Sequence, residues 1–203
     1  MARAPLLPVE DALKRILSHA RLTDAETLAI DAARGRTLAA DLASTRTQPP
    51  FITSAMDGYA IRAGDVTAPG TRLRLIGASA AGHGFSGRVG PGETVRIFTG
   101  APLPEGADTV LIQENADVDG ATIIARQVEP CGRFVRPAGL DFRQGEVLLK
   151  QGRRLGAREL ALAAAMNHAH LAVRRRPRVG VLATGDELVL PGGTPGPDQI
   201  IAS

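Results

Sequence analysis

The sequence predicts an α+β multi-domain chain: a helical domain with an inserted all-β domain, followed by the first strand of a truncated α/β domain. Three observations carry that expectation. Apolar residues recur at helical spacing near the N-terminus and again over residues 156–168. Between Arg62 and Leu149 the texture changes to short β-branched runs cut by Gly and Pro. After that, the apolar run of residues 178–183 leads into Thr184-Gly185-Asp186-Glu187-Leu188, as a two-face-buried parallel strand leads into a ligand loop.

In order, Val9, Leu13, Ile16, Leu17 and Ala20 make the apolar stripe of a helix of about three turns. Pro8 opens it, and Glu10 and Asp11 complement the dipole of its first turn. Residues 27–30 read as a short apolar link, and residues 31–42 as a second, Ala-rich helix weakened by Gly35. Residues 49–60, PPFITSAMDGYA, suit neither helix nor strand. The prolines fix an extended backbone and Gly58 permits a tight turn, so Asp57 is held at a set place in a loop.

Strands are expected at residues 72–76, 94–98, 109–113, 122–128 and 147–149, with Asp119-Gly120 as a hairpin turn between 109–118 and 121–128. The glycines at 82, 84, 87, 90 and 92 make a loose loop with no following helix, so no dinucleotide fingerprint is read there. The helix of residues 156–168 is expected to pack on the first two helices. The expected organisation is therefore residues 1–43 and 146–176 as two parts of one helical domain, 44–145 as the inserted β domain, and 177–203 as the start of an α/β domain. A lone parallel strand has no partners, which implies a further domain beyond Ser203.

Composition narrows the function. With 44% hydrophobic residues the chain can bury a core, but aromatics are only 3% and Trp is absent, so base stacking is not expected. Twenty-four basic residues, all arginine except Lys14 and Lys150, face 21 acids, a balance of +3 too mild for a dedicated nucleic-acid binder. The one dense patch, Arg174 to Arg178, reads as a solvated linker face, with an anionic ligand or nucleic acid as the sharper alternatives. Cys131 stands alone, so neither an intrachain disulfide nor a Cys cluster is possible, and a reducing cytoplasm is the expected compartment. No segment reads as a secretory signal or a membrane span, and no membrane partner is expected. His19, His83, His168 and His170 share no ligand spacing.

Three further loops repeat the chemistry of the Asp57 segment: TGAPLPEGAD at 99–108, RPAGLD at 136–141 and TGDEL at 184–188, each joining an apolar run to a Gly-bearing bend with a hydroxyl or carboxylate. With PPFITSAMDGYA, TGAPLPEGADTVLIQE, RPAGLD and ATGDEL in this order and spacing, the chain resembles the MoeA family, the molybdopterin molybdenumtransferases. The resemblance implies an enzyme that takes adenylylated molybdopterin and molybdate and, with Mg2+, releases AMP and molybdenum cofactor. It also implies an elongated homodimer with a molybdopterin-binding α/β domain, supplied by a molybdopterin-adenylylating enzyme upstream. By resemblance, Asp57, Thr99, Asp141 and Glu187 are the catalytic positions, with Asp57 and Glu187 on Mg2+, while Arg136 would pair with phosphate and Asp186 would share cofactor binding. Each has a structural reading beside it: Asp57 can cap the Gly58 turn, Thr99 can bond a nearby amide at a strand end, and Asp141 can cap the loop before Gly145. Asp108 reads as structural. The sequence departs from the family at Leu140, where many relatives carry an acid beside the Asp. The rest of the family's pocket is expected beyond Ser203, so residues 1–203 alone are not expected to turn over. The competing reading is a non-catalytic dimerisation and scaffold module.

Overall fold

The computed structural model describes residues 7–202, which divide into two compact units, Thr27–Val173 and the described residues on either side of it. In chain order the first elements are α1 (Val9–Ser18), β1 (Ala25–Ala29), β2 (Leu42–Ala43), β3 (Thr53–Ser54), β4 (Gly58–Ile61) and β5 (Arg72–Ser79). Next come β6 (Glu93–Ile97), β7 (Thr109–Ile112), β8 (Ala116–Asp119), β9 (Thr122–Ala125), β10 (Val135–Arg136) and β11 (Val147–Leu149). The chain closes with α2 (Ala157–Ala165), β12 (His170–Arg174), β13 (Leu188–Val189) and β14 (Ile200–Ile201). Strands dominate, and no described helix is long and apolar enough to cross a membrane.

The unit Thr27–Val173 is built on a six-stranded sheet of order β7-β4-β6-β5-β9-β8, antiparallel except for the β5–β6 pair. β4 lies between β6 and β7 and is buried at all four residues, because its alternate side chains feed two cores. Tyr59 and Ile61 join Val66, Leu73, Leu111 and Ile123 in one, while Ala60 joins Val89, Val95, Ile97 and Val110 in the other. Each large side chain fully buried here contributes about 1.5–3 kcal/mol. A third core gathers Ala33, Leu38, Leu149, Leu155, Ala163, Leu171 and Val173 around α2. Glu159 accepts from the Gly156 N–H at 3.0 Å and so closes the first turn of α2, as a capping acid does. His168 is a satisfied histidine, its Nε2 donating to the Ala43 carbonyl at 2.8 Å.

The β-branched runs are strands as expected, with differences that have physical causes. The arm expected over residues 109–118 is broken by a 3-10 turn at Gln113–Asn115, which sends β7 and β8 to opposite edges of the sheet. The Asp119-Gly120 hairpin then joins β8 to β9 alone, with Gly120 at φ 59° as a tight primed turn requires. Residues 31–42 are not a helix. Ile30–Ala33 forms a 3-10 turn and Gly35 turns the chain at φ 74°; Thr37 and Leu38 then bridge to Arg154 and Val173, which places Leu38 in the α2 core. The left-handed glycine ends the helix, and burial of Leu38 outweighs the propensity of the alanines. Nor are residues 27–30 a bare link, since most of them lie in β1, which pairs with β12. α2 accordingly packs on the 3-10 turn and short strands rather than on a second helix.

In the other unit, α1 starts as expected, with Pro8 before it and Glu10 and Asp11 in the first turn, but it ends at Ser18, short of the expected stripe residue Ala20. The strand expected at residues 178–183 is absent: none of these residues is in a strand, and Val181 is 91% exposed. A parallel strand is stable only between neighbours that pair its backbone and cover both faces. The parallel pairing in this unit falls later, between Leu188 and Ile200 and between Val189 and Ile201.

Candidate functional site

Asp57 stands where the chain enters the sheet. β3 pairs with β10, matching Thr53 to Arg136 and Ser54 to Val135, and so brings residues 53–54 against residues 135–136. The Ser54 hydroxyl then donates to the Met56 carbonyl at 2.5 Å and accepts from the Met56 N–H at 3.2 Å, which forms the bend. Gly58 starts β4 in a different role from the one its sequence suggests. Its φ is not positive; instead a Cβ there would lie 2.1 Å from the Leu111 carbonyl oxygen, so glycine is required by close strand approach.

The carboxylate itself is pinned. Both the backbone N–H and the hydroxyl of Thr99 donate to Asp57 Oδ1 at 2.7 Å. These bonds, the amide foremost, hold the Asp57 carboxyl below its ordinary pKa, and the nearby Arg96 charge adds to the effect. Oδ1 is thereby committed, leaving Oδ2 as the edge open to a ligand.

Gly100, the chain neighbour of Thr99, lines a cleft of about 410 Å³ together with Arg46, Gln48, Pro49, Phe51, Arg136 and Asp141. Its walls are two loops laid side by side. The Asp141 and Phe142 amides donate to the Gln48 carbonyl at 3.0 and 3.3 Å, the Gln48 amide returns a bond to Phe142 O at 2.9 Å, and Gly139 N–H reaches Pro49 O at 2.9 Å. The Gln48–Pro49 peptide is cis. Among the described residues, the side chains of Arg46, Arg136 and Asp141 make no hydrogen bond or ion pair, so two cations and one carboxylate line the cleft uncommitted. Arginine forks lining an open cleft suit a phosphate or another tetrahedral oxyanion.

The structure thus brings Asp57 to Thr99, and Arg136 to Asp141 in the cleft that Gly100 adjoins. Asp186 and Glu187 lie in the other unit, exposed, on the turn before β13 where Leu188 N–H bonds Gly185 O at 3.1 Å. Asp108 has the structural role expected of it: its Oδ1 accepts from the Ala63 amide and the Thr109 hydroxyl, each at 2.8 Å. Among the described residues, no group of three or more His, Cys, Asp and Glu side chains is arranged to hold a metal ion.

Sequence reading missed Arg46, Gln48 and Phe51 as cleft residues, and Arg96 and Gln113 beside Asp57. Arg96 carried a signal, because it is a charged residue inside the otherwise buried run Thr94-Val95-Arg96-Ile97. Such a residue needs partners, and it has them: Arg96 donates to the Gly58 carbonyl at 3.3 Å and to Gln113 Oε1 at 2.6 Å.

Comparison with known proteins places the chain in a family. Residues 7–167 match the family model described as the MoeA N-terminal region, domains I and II. A molybdopterin molybdenumtransferase of Nostoc sp. is 37% identical over 184 residues, covering 89% of this chain and 42% of that protein. One from Haemophilus influenzae is 37% identical over 186 residues, covering 91% and 46%. The crystal structure of the molybdopterin biosynthesis moeA protein from Pyrococcus horikoshii OT3 superposes with a TM-score of 0.85 at 31% identity, covering 93% of this chain and 52% of that one. The chain spans about half the length of the relatives it matches.

Proposed function

The chain belongs to the MoeA family, and from that premise we propose that it serves molybdenum cofactor biosynthesis as part of a molybdopterin molybdenumtransferase. The observation that supports the proposal is a carboxylate pinned by Thr99, whose chain neighbour Gly100 lines a cleft in which the side chains of Arg46 and Arg136 are uncommitted. In this reading adenylylated molybdopterin and molybdate are the substrates, and AMP and molybdenum cofactor the products. Arg136, with Arg46, takes a phosphate or the molybdate oxyanion, and Asp141 hydrogen-bonds to a substrate donor.

Asp57 fits Mg2+ through its open Oδ2, since Mg2+ keeps most of its waters and is held by one or two carboxylates together with substrate phosphates. Bound there, Mg2+ would neutralise phosphate charge. Thr99 orients Asp57, and its doubled donation keeps the carboxylate ionised. For Asp186 and Glu187 a cofactor-binding and metal-binding role is proposed from the resemblance alone, and Glu187→Gln tests it. We further propose a cytoplasmic homodimer that receives its substrate from a molybdopterin-adenylylating enzyme.

The test is molybdate-dependent AMP release from adenylylated molybdopterin by the gene product as its host makes it. Asp57→Asn is expected to lower turnover by about a hundredfold or more with only a small fall in melting temperature. Turnover at the wild-type rate would overturn the catalytic role of Asp57. A scaffold role is favoured by one observation, the exposure of Val9, Leu13, Ile16 and Leu17 along one stripe of α1. No molybdate-dependent AMP release by the wild type, together with loss of self-association in Leu13→Glu, would select that reading instead.

A further inference from the structure

We infer that Arg96 is a positioning residue for Asp57: its guanidinium clamps the Gly58 carbonyl and the Gln113 side chain, and so fixes the peptide on which the carboxylate stands. The inference rests on the transferase reading above and names a residue that this reading does not use.

Arg96 lies on β6 directly opposite Tyr59 of β4, half-buried. Its Cζ is 5.0 Å from the centre of the Tyr59 ring and 5.1 Å from that of Phe98, so the cation is held over two aromatic faces. From that seat Nη1 donates to Gly58 O at 3.3 Å and Nη2 to Gln113 Oε1 at 2.6 Å. Gln113 in turn gives its backbone N–H to the Asp57 carbonyl at 3.1 Å. One side chain therefore links β6, β4 and the end of β7 at the point where Asp57 emerges. The aspartate is gripped on both sides, at its carboxylate by Thr99 and at its peptide by the Arg96–Gln113 pair.

Only a planar fork can make both donations from one position; a lysine ammonium keeps the charge and the ring contact but is a single point on a flexible stem. Its loss would let the Asp57 peptide move, and displacement of a reacting or ligating group by about 1 Å costs on the order of a hundredfold in rate.

The test uses the purified gene product and reads kcat and KM for AMP release in wild type, Arg96→Lys, Gln113→Ala, the double variant and Asp57→Asn. Arg96→Lys is expected to lower kcat about tenfold with KM for molybdate little changed, and Gln113→Ala to lower it about threefold. In the double variant kcat should fall no further than in Arg96→Lys, because both changes cut one link. A kcat for Arg96→Lys within about twofold of wild type overturns the inference, as do two single effects that multiply in the double variant. Should Arg96→Lys fail to fold, exposed Gln113 decides: unchanged kcat in Gln113→Ala overturns the inference and a reduced one supports it. An inactive Asp57→Asn beside a fully active Arg96→Lys sinks the positioning role alone, an active Asp57→Asn sinks the catalytic role of Asp57 and the positioning role with it, and no AMP release by the wild type sinks the transferase reading.

Discussion

Two Gly-bearing acidic bends of this chain have similar composition and opposite settings. The bend at Met56-Asp57-Gly58 sits between β3 and β4, is tied by the Ser54 hydroxyl, and meets the Thr99 bend head-on. The bend at Gly185-Asp186-Glu187 follows the exposed run of residues 178–183, and its one strand partner is the short β14. The contrast teaches that a carboxylate acquires a fixed direction from the sheet on each side of it; a glycine and an apolar run next to an acid do not suffice. Backbone pairing supplies that rigidity, and pairing depends on residues distant in sequence.

Breaking the braced bend should show the largest effect. Gly58→Ala places a methyl against the Leu111 carbonyl, backbone that cannot step aside, and is expected to cost about 3 kcal/mol, read as a lower denaturant midpoint. A smaller effect is expected from Thr99→Val, which removes the hydroxyl donor but keeps the amide: turnover should fall about tenfold with little change in melting temperature. The Asp57 carboxyl should also move back toward the ordinary carboxylate range.

Acid sharpens the same contrast. Asp57, held down by Thr99, Asp41 by the Gln151 amide and Lys150, Asp117 by Arg126, and Glu159 by Arg153 all have lowered pKa values and all lie in Thr27–Val173. In each the unfolded chain binds its proton more readily than the folded one. Their stabilisation is therefore complete above the ordinary carboxylate range of about 4 and is lost as pH falls through the lowered values. The urea midpoint of the sheet unit should decline below about pH 4, and decline less in Thr99→Val. The smallest effect belongs to the exposed run: Leu182→Ser should change stability by no more than about 0.5 kcal/mol, and a larger loss would show that residues 178–183 are packed.

Much of the fold was legible where local chemistry and tertiary packing agree. Pro8, Glu10 and Asp11 announce α1, Gly120 announces its hairpin, and β-branched runs mark β5, β6, β7 and β9. Legibility failed where a long-range partner overruled local preference. Alanines near residue 32 favour a helix, but Leu38 pairs with Val173 and is drawn into the α2 core. Residues 178–183 show the reverse case, a strand-like pattern with no pairing partner. In the site, the bends that carry Asp57, Thr99 and Asp141 stood out as Gly-bearing turns with a hydroxyl or carboxylate, while the roles of these residues and of Arg136 came only from the resemblance to the MoeA family. Arg46 and Gln48 did not stand out, because they reach the cleft only through the bridge between Gln48 and Phe142, a pairing 94 residues apart that no local pattern announces.

The most direct test is the pKa of the Asp57 carboxyl, followed by carbon-detected NMR in the wild type and in Thr99→Val. A bend braced by Thr99 requires a value below the ordinary aspartate range in the wild type and a clear rise in the variant. An ordinary value in the wild type, or the same value in both, would contradict the account.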